Sequence, residues 1–360
     1  MGNEVTRCRS CAVLSCLALS CLALSCLVLL AFPSTGSAQP APPRQIKFAL
    51  QGTAGSAPHE AAVRFAQDVK SRSHGRLEIR LFAGGVLGND LAVISAVRGG
   101  TIEMSVLNAS LLAGVARPMS LFDFPFLFDS EREAHAVIDG PFGQRLHDLL
   151  EPRGLIGLCY WGVGVRHFHN GRRAIRRVED LQGLKMRVVE SPIYLDFMAA
   201  LGAQPMPMPF PELRAALESG AVDGGTQPIS AMVNARLHEV QRHVTLTGHV
   251  SNPQSVIVSR KFWEGLPAAD RQILLEAARS VRADARRALV ERDAQGMATL
   301  KKAGLEIHAL DATELARMRA LAQQVIAMHT PRIGASLVRE LHAAQEEARQ
   351  EARQELRPAR

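Results

Sequence analysis

From Ile46 onward, short apolar strands alternate with amphipathic helices, and that alternation limits the fold more than any other feature of the chain. Ile46 to Leu50 is an apolar strand, Gly52 to Pro58 a turn-rich loop, and Ala61 to Ser71 sets Val63, Phe65, Ala66 and Val69 on one helical face. Leu77, Ile79 and Leu81 alternate as a strand, Ala92 to Arg98 resumes a helix, and Met104 to Leu107 is a buried strand. This βαβ rhythm predicts an α/β fold with a largely parallel sheet covered by helices.

The middle of the chain repeats the rhythm. Leu155 to Tyr160, Arg166 to His169 and Leu184 to Val188 read as strands, and Tyr194 to Leu201 and Pro211 to Ser219 as helices. The last of these starts at a proline, carries Glu212 in its first turn and stops at Gly220. From Pro267 to Lys302 the pattern is helical with no further proline, long enough to form a spine. Near the C-terminus, residues 347–355 repeat Glu and Arg in mutual helical reach, but without the apolar positions of a coiled coil. The repeat predicts a solvated, salt-bridged tail helix.

At the other end, Arg7 and Arg9 precede an apolar run from Cys11 to Phe32, followed by Pro33 and the small-residue stretch Gly36-Ser37-Ala38. That layout is a secretory signal peptide, with cleavage expected after Ala38 and Gln39 as the first mature residue. The run is also long enough to remain as an anchor. Its Ser-Cys-Leu repeats at Cys16, Cys21 and Cys26 read as low-complexity leader, although lipidation of one of these cysteines is an alternative. Five of the six cysteines fall in the leader, so a processed chain keeps only Cys159 and forms no internal disulfide. Cys159 lies in the apolar run Leu155 to Trp161 and reads as a small buried hydrophobe, not a nucleophile.

Roughly 320 residues then remain, more than one core usually organises, which predicts two lobes. No second long apolar run follows, so the processed chain is expected to be soluble. The formal charge is +7, but basic and acidic residues are interspersed, so nucleic acid is not expected as a partner and a field favouring anions is.

Motifs for catalysis are missing. There is no Gly-x-Ser-x-Gly elbow, phosphate loop, Cys-x-x-Cys or His-Glu-x-x-His pair, and Gly162-x-Gly164 is followed by His167 where a dinucleotide fingerprint needs glycine. His167 and His169 share a strand face, and His238, His243 and His249 cluster in sequence. With no acidic or thiolate partner at matching spacing, they read as surface or cleft-rim residues and not as a zinc site. No cofactor, metal or enzymatic activity is expected.

A constellation suited to an anion is present instead. In Leu184-Lys185-Met186-Arg187-Val188 the apolar side chains alternate with Arg187, so burial of one face aims a guanidinium the other way, as a fork that fits a carboxylate. Arg166 stands at a strand start after Gly162-Val163-Gly164.

The chain resembles the DctP-type periplasmic solute receptors of the tripartite ATP-independent periplasmic (TRAP) transporters, in order from about Ile46 to Leu310. The residues that carry the resemblance include Gly75-Arg76-Leu77-Glu78-Ile79, Leu87-Gly88-Asn89-Asp90, Phe122 to Phe128, Gly183 to Val188, Glu218 to Gly224 and Lys261-Phe262-Trp263. The resemblance implies a two-lobed class II-like periplasmic binding protein with mixed sheets, hinge strands and a long helix spanning both lobes. Residues 1–38 are then a signal peptide, 39–163 with 252–291 one lobe, 164–251 with 292–345 the other, and 346–360 a charged helical tail.

It further implies that Arg187 forms the principal salt bridge to a ligand carboxylate, that Arg166 is a second cleft arginine, that Phe210 packs on the ligand and that Asn108 is a polar contact; His59 is a further cleft candidate. Gln227 stands where the family pattern has asparagine before proline, and the usual proline after Phe82 is missing, so no particular ligand carries over. The implied function is capture of a small organic acid by a periplasmic monomer and its delivery to TRAP membrane subunits. A ligand sensor using the same cleft is the alternative. A hydrolase lacks a nucleophile and base, and the Leu184 to Val188 motif argues against a tripartite tricarboxylate-transporter receptor.

Overall fold

A computed structural model describes residues 42–355; the leader with its cysteines and cleavage site, and residues 356–360, lie outside the described residues. Nine strands appear among them: β1 (Arg44–Leu50), β2 (Leu77–Phe82), β3 (Met104–Asn108), β4 (Leu155–Asn170), β5 (Lys185–Val188), β6 (Gln204–Pro207), β7 (Gly224–Gln227), β8 (His243–Ser259) and β9 (Glu306–Ala309). They form a single mixed sheet in the order β2-β1-β3-β8-β4-β7-β5-β6, with β9 added alongside β8. β1 runs parallel to β2 and β3, and β5 parallel to β6 and β7, so each half of the sheet has its own parallel core. The halves are joined by β4 and β8, an antiparallel pair of 16 and 17 residues.

The two long strands explain a difference from the sequence reading. Leu155 to Tyr160 and Arg166 to His169 are two stretches of one strand, and the Gly162-Val163-Gly164 segment that reads as a break stays in it. Register shifts against β8 occur between Tyr160 and Val163 and between Arg166 and Phe168. Bulges of this kind bend a strand and re-aim its side chains without ending it.

Helices cover both faces. In the first part of the chain they are α1 (Ala57–Arg72), α2 (Asp90–Gly99), α3 (Glu131–Asp139) and α4 (Pro141–Asp148). The centre holds α5 (Pro192–Ala200), α6 (Leu213–Glu218), α7 (Ile229–Asn234) and α8 (Arg260–Glu264). They are followed by α9 (Ala268–Ser280), α10 (Arg282–Lys302), α11 (Ala312–Ile333) and α12 (Ala335–Glu355). Capping follows the sequence: Asn89 accepts from Ala92 N–H, Ser130 from Glu133 N–H and Asp311 from Glu314 N–H.

The expected helical spine is α9 and α10, bent at Val281. α10 packs on α1 from the first half of the sheet, on α7 from the second, and on β4 between them. Under the first half, Trp161 stacks on Phe48 with ring centres 5.9 Å apart and meets Phe65 edge-on at 5.8 Å. Such pairs add about 0.5–1.5 kcal/mol each beyond the area they bury.

The acidic and basic repeat near the C-terminus is helical and largely exposed, and it continues a helix whose earlier turns are packed. It ends α12, whose Leu337, Val338, Leu341 and Ala348 are buried against the body. Gln345 donates to the Leu127 carbonyl, and Arg349 reaches Asp129 and the buried Glu133, each at 2.9 Å. Within residues 347–355 only Ala348 is buried, and the charged side chains stay largely exposed. No helix among the described residues is long and apolar enough to cross a membrane.

Candidate ligand-binding cleft

Where β4 and β8 pass from one half of the sheet to the other, a cavity of about 180 Å³ opens between the α1 loop, the ends of β3, β5 and β7, and α10. Arg166, Arg187, Phe210, Gln227 and Asn108 all line it. His59 does not. It sits in the first turn of α1, where its Nδ1 accepts from the Gly55 N–H at 3.3 Å, so its ring serves the loop and not the cavity wall.

Arg187 comes from β5, between the fully buried Met186 and Val188, and is itself only 3 % exposed. Its Nε and Nη2 donate to the Met208 carbonyl at 3.0 and 2.7 Å, and its guanidinium lies 5.9 Å from the Phe210 ring centre. Strand alternation thus aims it into an enclosed place instead of toward open solvent. Burial pushes its pKa down to about 9, Arg166 pushes the same way, and Tyr194, Asp90 and Glu190 act against both. The residue stays charged at neutral pH, and the depression measures a buried positive charge that no hydrogen-bonded anion neutralises.

Arg166 is also 3 % exposed. Its Nε donates to Asn252 Oδ1, and its Nη1 to the Thr226 carbonyl and, at 3.2 Å, to Gln227 Oε1. These acceptors are neutral. Its guanidinium lies 5.6 Å from the centre of the Tyr194 ring, whose hydroxyl is 3.3 Å from Asn252 Oδ1. The packing beside it is close: a Cβ on Gly164 would stand 3.0 Å from Pro228 Cγ, so a side chain there would force Pro228 to shift.

The contact to Arg166 also fixes the Gln227 amide. A guanidinium only donates, so the oxygen must face Arg166. Gln227 Nε2 is then a buried donor with no hydrogen-bond partner among the described residues. Pro228, not Gln227, occupies the cap position of α7, which has no side-chain cap. Asn108 ends β3 and accepts from Gln254 Nε2 through Oδ1. Trp161, Leu111, Val189 and Leu289 supply apolar wall.

Several lining residues are beyond the sequence reading. Asn252 and Gln254 lie on β8 in the run Ser251-Asn252-Pro253-Gln254-Ser255, and polar residues inside a strand that is otherwise buried were the available signal. Ser56, whose hydroxyl is buried without a partner among the described residues, precedes α1. Asp90 and Glu190 put acidic groups on the wall, and burial lifts the Asp90 carboxyl to about 7, with Glu190 adding to the rise and Arg187 opposing it. Behind Arg166, burial pushes the Asp123 carboxyl up to about 6 against the pull of Ser110, Ser191 and Arg166. Neither serine meets it with ordinary hydrogen-bond geometry, so both act through proximity.

The histidines of this region are interior, not rim, residues. His167 Nδ1 accepts from the Thr247 and Gly248 N–H groups at 3.1 Å each. His169 meets Gln241 at 2.8 Å, and His249 stacks on Phe168 with 4.1 Å between ring centres. Burial lowers the pKa of all three. Cys159 is 6 % exposed, and burial raises its thiol to about 12, which agrees with a packing role.

Residues 48–331 match the family described as bacterial extracellular solute-binding protein, family 7. The 2,3-diketo-L-gulonate-binding periplasmic protein YiaO of Escherichia coli (strain K12) is 34 % identical over 305 residues, covering 84 % of this chain and 92 % of its own. The C4-dicarboxylate-binding periplasmic protein DctP of Rhodobacter capsulatus is 30 % identical over 310 residues, covering 85 % and 92 %. Among solved structures, the sugar acid binding protein DctPAm from Advenella mimigardefordensis in complex with galactonate superposes with a TM-score of 0.83 at 32 % identity, over 85 % of this chain and 99 % of that one. With the mixed sheet, the long crossing strands and the bent helical spine in place, the chain belongs to the DctP family of TRAP-transporter solute-binding proteins.

Proposed function

We propose that this protein captures a polyhydroxylated organic acid, a sugar acid carboxylate, in the β4–β8 cleft of the periplasm and delivers it to TRAP membrane subunits. The observation that carries the reading is Arg187, a buried guanidinium whose hydrogen bonds among the described residues go to a neutral carbonyl alone. A carboxylate on its remaining edge neutralises it bidentately. Arg166 supplies a second positive charge, Gln227 Nε2 an unused donor beside it, and Phe210 apolar cover.

Asn108, Gln254, Asp90 and Glu190 offer a mixture of acceptors and donors around the same space, which suits ligand hydroxyls better than a purely cationic lining would. Two of the relatives are named for sugar acids, 2,3-diketo-L-gulonate and galactonate. Residues 39–163 with 252–291 and residues 164–251 with 292–345 act as the two lobes. Contacts from both favour the closed form by their differential affinity. Export by the leader, with release at Ala38, accounts for the periplasmic location.

Thermal unfolding of the processed protein against aldonates, hexuronates, C4-dicarboxylates, 2-oxoacids and pyroglutamate tests the proposal. A saturable rise with one sugar acid, and none with the corresponding neutral sugar, is expected. A rise with the neutral sugar equal to that with the acid would overturn it.

A further inference from the structure

Away from the cleft, the last strand of the sheet brings together three residues that are far apart in sequence. β9 runs parallel to β8, with Glu306 opposite His243 and His308 opposite Thr245. Side chains alternate along a strand, so Glu306 and His308 emerge on one face, and His243 joins them from the neighbouring strand. One ligand atom from each lies within 4.8 Å of the others.

The distances have a chemical meaning. His243 Nδ1 and His308 Nε2 are each 3.4 Å from Glu306 Oε2. Bonds of about 2.0–2.1 Å to a tetrahedral zinc ion place neighbouring ligand atoms about 3.4 Å apart. The spacing therefore fits edges of such a tetrahedron, whereas it is long for hydrogen bonds. His243 Nδ1 is buried and has no hydrogen-bond partner among the described residues. His243 and His308 side chains are 13 % and 17 % exposed, while Glu306 is 61 % exposed. Two ring nitrogens are thus held by packing, an exposed carboxylate closes from the solvent side, and a fourth position stays open to water.

We propose that His243, Glu306 and His308 form a binding site for a divalent ion of the zinc class, which clips the edge strand β9 to β8. Two imidazoles and one carboxylate suit zinc and its first-row neighbours and are a poor set for magnesium or calcium, which prefer oxygen. None of the three residues lines the cleft, so the ion stabilises the sheet edge without touching the bound acid. The histidine cluster seen in the sequence lacked an acidic partner because α8, α9 and α10 separate Glu306 from His243 along the chain, and only the strand register makes them neighbours.

The test uses the untagged chain, stripped of metal and titrated with zinc chloride by calorimetry, with thermal unfolding in parallel. One saturable ion per chain, a higher unfolding temperature reversed by chelator, and no rise with magnesium are expected. Loss of an outer partner alone typically weakens a metal site about 10–100-fold, so His243→Ala and His308→Ala should each weaken zinc by at least about tenfold. His342→Ala, an exposed histidine on α12, should leave it unchanged. Glu306→Gln alters only an exposed side chain, folds normally and weakens zinc, which keeps the test valid should a histidine variant misfold. Absence of a saturable site, or wild-type affinity in Glu306→Gln and His308→Ala alike, overturns the proposal.

Discussion

The two ends of β4 are equally buried and chemically opposite. Its first stretch, ending in Cys159, Tyr160 and Trp161, satisfies what it buries: the Tyr160 hydroxyl donates to the Gly143 carbonyl at 3.2 Å and the Trp161 indole to the Ala278 carbonyl at 3.0 Å. The second stretch, from Arg166 to Asn170, and the strands beside it bury a guanidinium, two histidines and several amides. Here Gln227 Nε2, His169 Nε2, Asn170 Nδ2 and His249 Nε2 have no hydrogen-bond partners among the described residues. Buried polar groups are ordinarily paired, because an unmet donor costs about 1–3 kcal/mol. One end of the strand is arranged for stability, and the other holds unmet polar groups, of which Gln227 lines the cleft. The same backbone serves both because the register shifts between Tyr160 and Val163 and between Arg166 and Phe168 let the strand change what it presents without ending.

Substitutions at the two ends should separate accordingly. The largest effect is expected from Tyr160→Ala, which removes a ring stacked on His147 at 4.0 Å and packed edge-on against Phe122 at 5.7 Å. It should cost roughly 3–5 kcal/mol of stability in denaturant unfolding, with ligand affinity of the remaining folded protein unchanged. A large affinity loss with little destabilisation would erase the distinction between the ends.

At the other end, Gln227→Asn withdraws the amide from Arg166 and from the ligand. Affinity should fall by about 1–3 kcal/mol in calorimetry while the unfolding temperature of the ligand-free protein stays near the wild type. An unchanged affinity and ligand range would place Gln227 outside the binding surface.

The smallest effect concerns pH. Because burial raises Asp90 to about 7, it is largely neutral below that pH and ionises beside the ligand carboxylate above it. Its contribution to folding has the same sign: complete below the ordinary carboxylate range and lost as pH rises through about 7. Affinity should therefore fall between pH 6 and pH 8, by no more than about tenfold per unit, and Asp90→Asn should flatten the profile. A wild-type profile already flat over this range contradicts a titrating Asp90 in the cleft.

Much of this was legible in the sequence, for physical reasons that differ by element. Apolar periodicity disclosed β1 to β3 and α1, because their core faces are continuous. It misread β4, since glycine signals a break when only the chain is seen, and the reason for Gly164, the close approach of Pro228, exists only in the folded protein. Arg187, Arg166 and Gln227 were singled out from local pattern and resemblance, and the cavity brings them together. Asn252, Gln254 and Ser56 were not, because their importance depends on which strand crosses which. The charges of residues 347–355 indicated exposure, and most of them are exposed; the packing of the earlier turns of α12 through Leu337 and Leu341 was not read.

The measurement that bears most directly on the cleft is calorimetric titration of wild type and Arg187→Lys with the acid that most raises the unfolding temperature. Lysine keeps the charge and loses the planar fork. The expected result is one-to-one saturation of the wild type and a loss of about 2–5 kcal/mol in the variant, roughly thirtyfold or more in Kd, with both proteins folded. Equal affinities in two correctly folded proteins would contradict the assignment of Arg187 as the anion anchor.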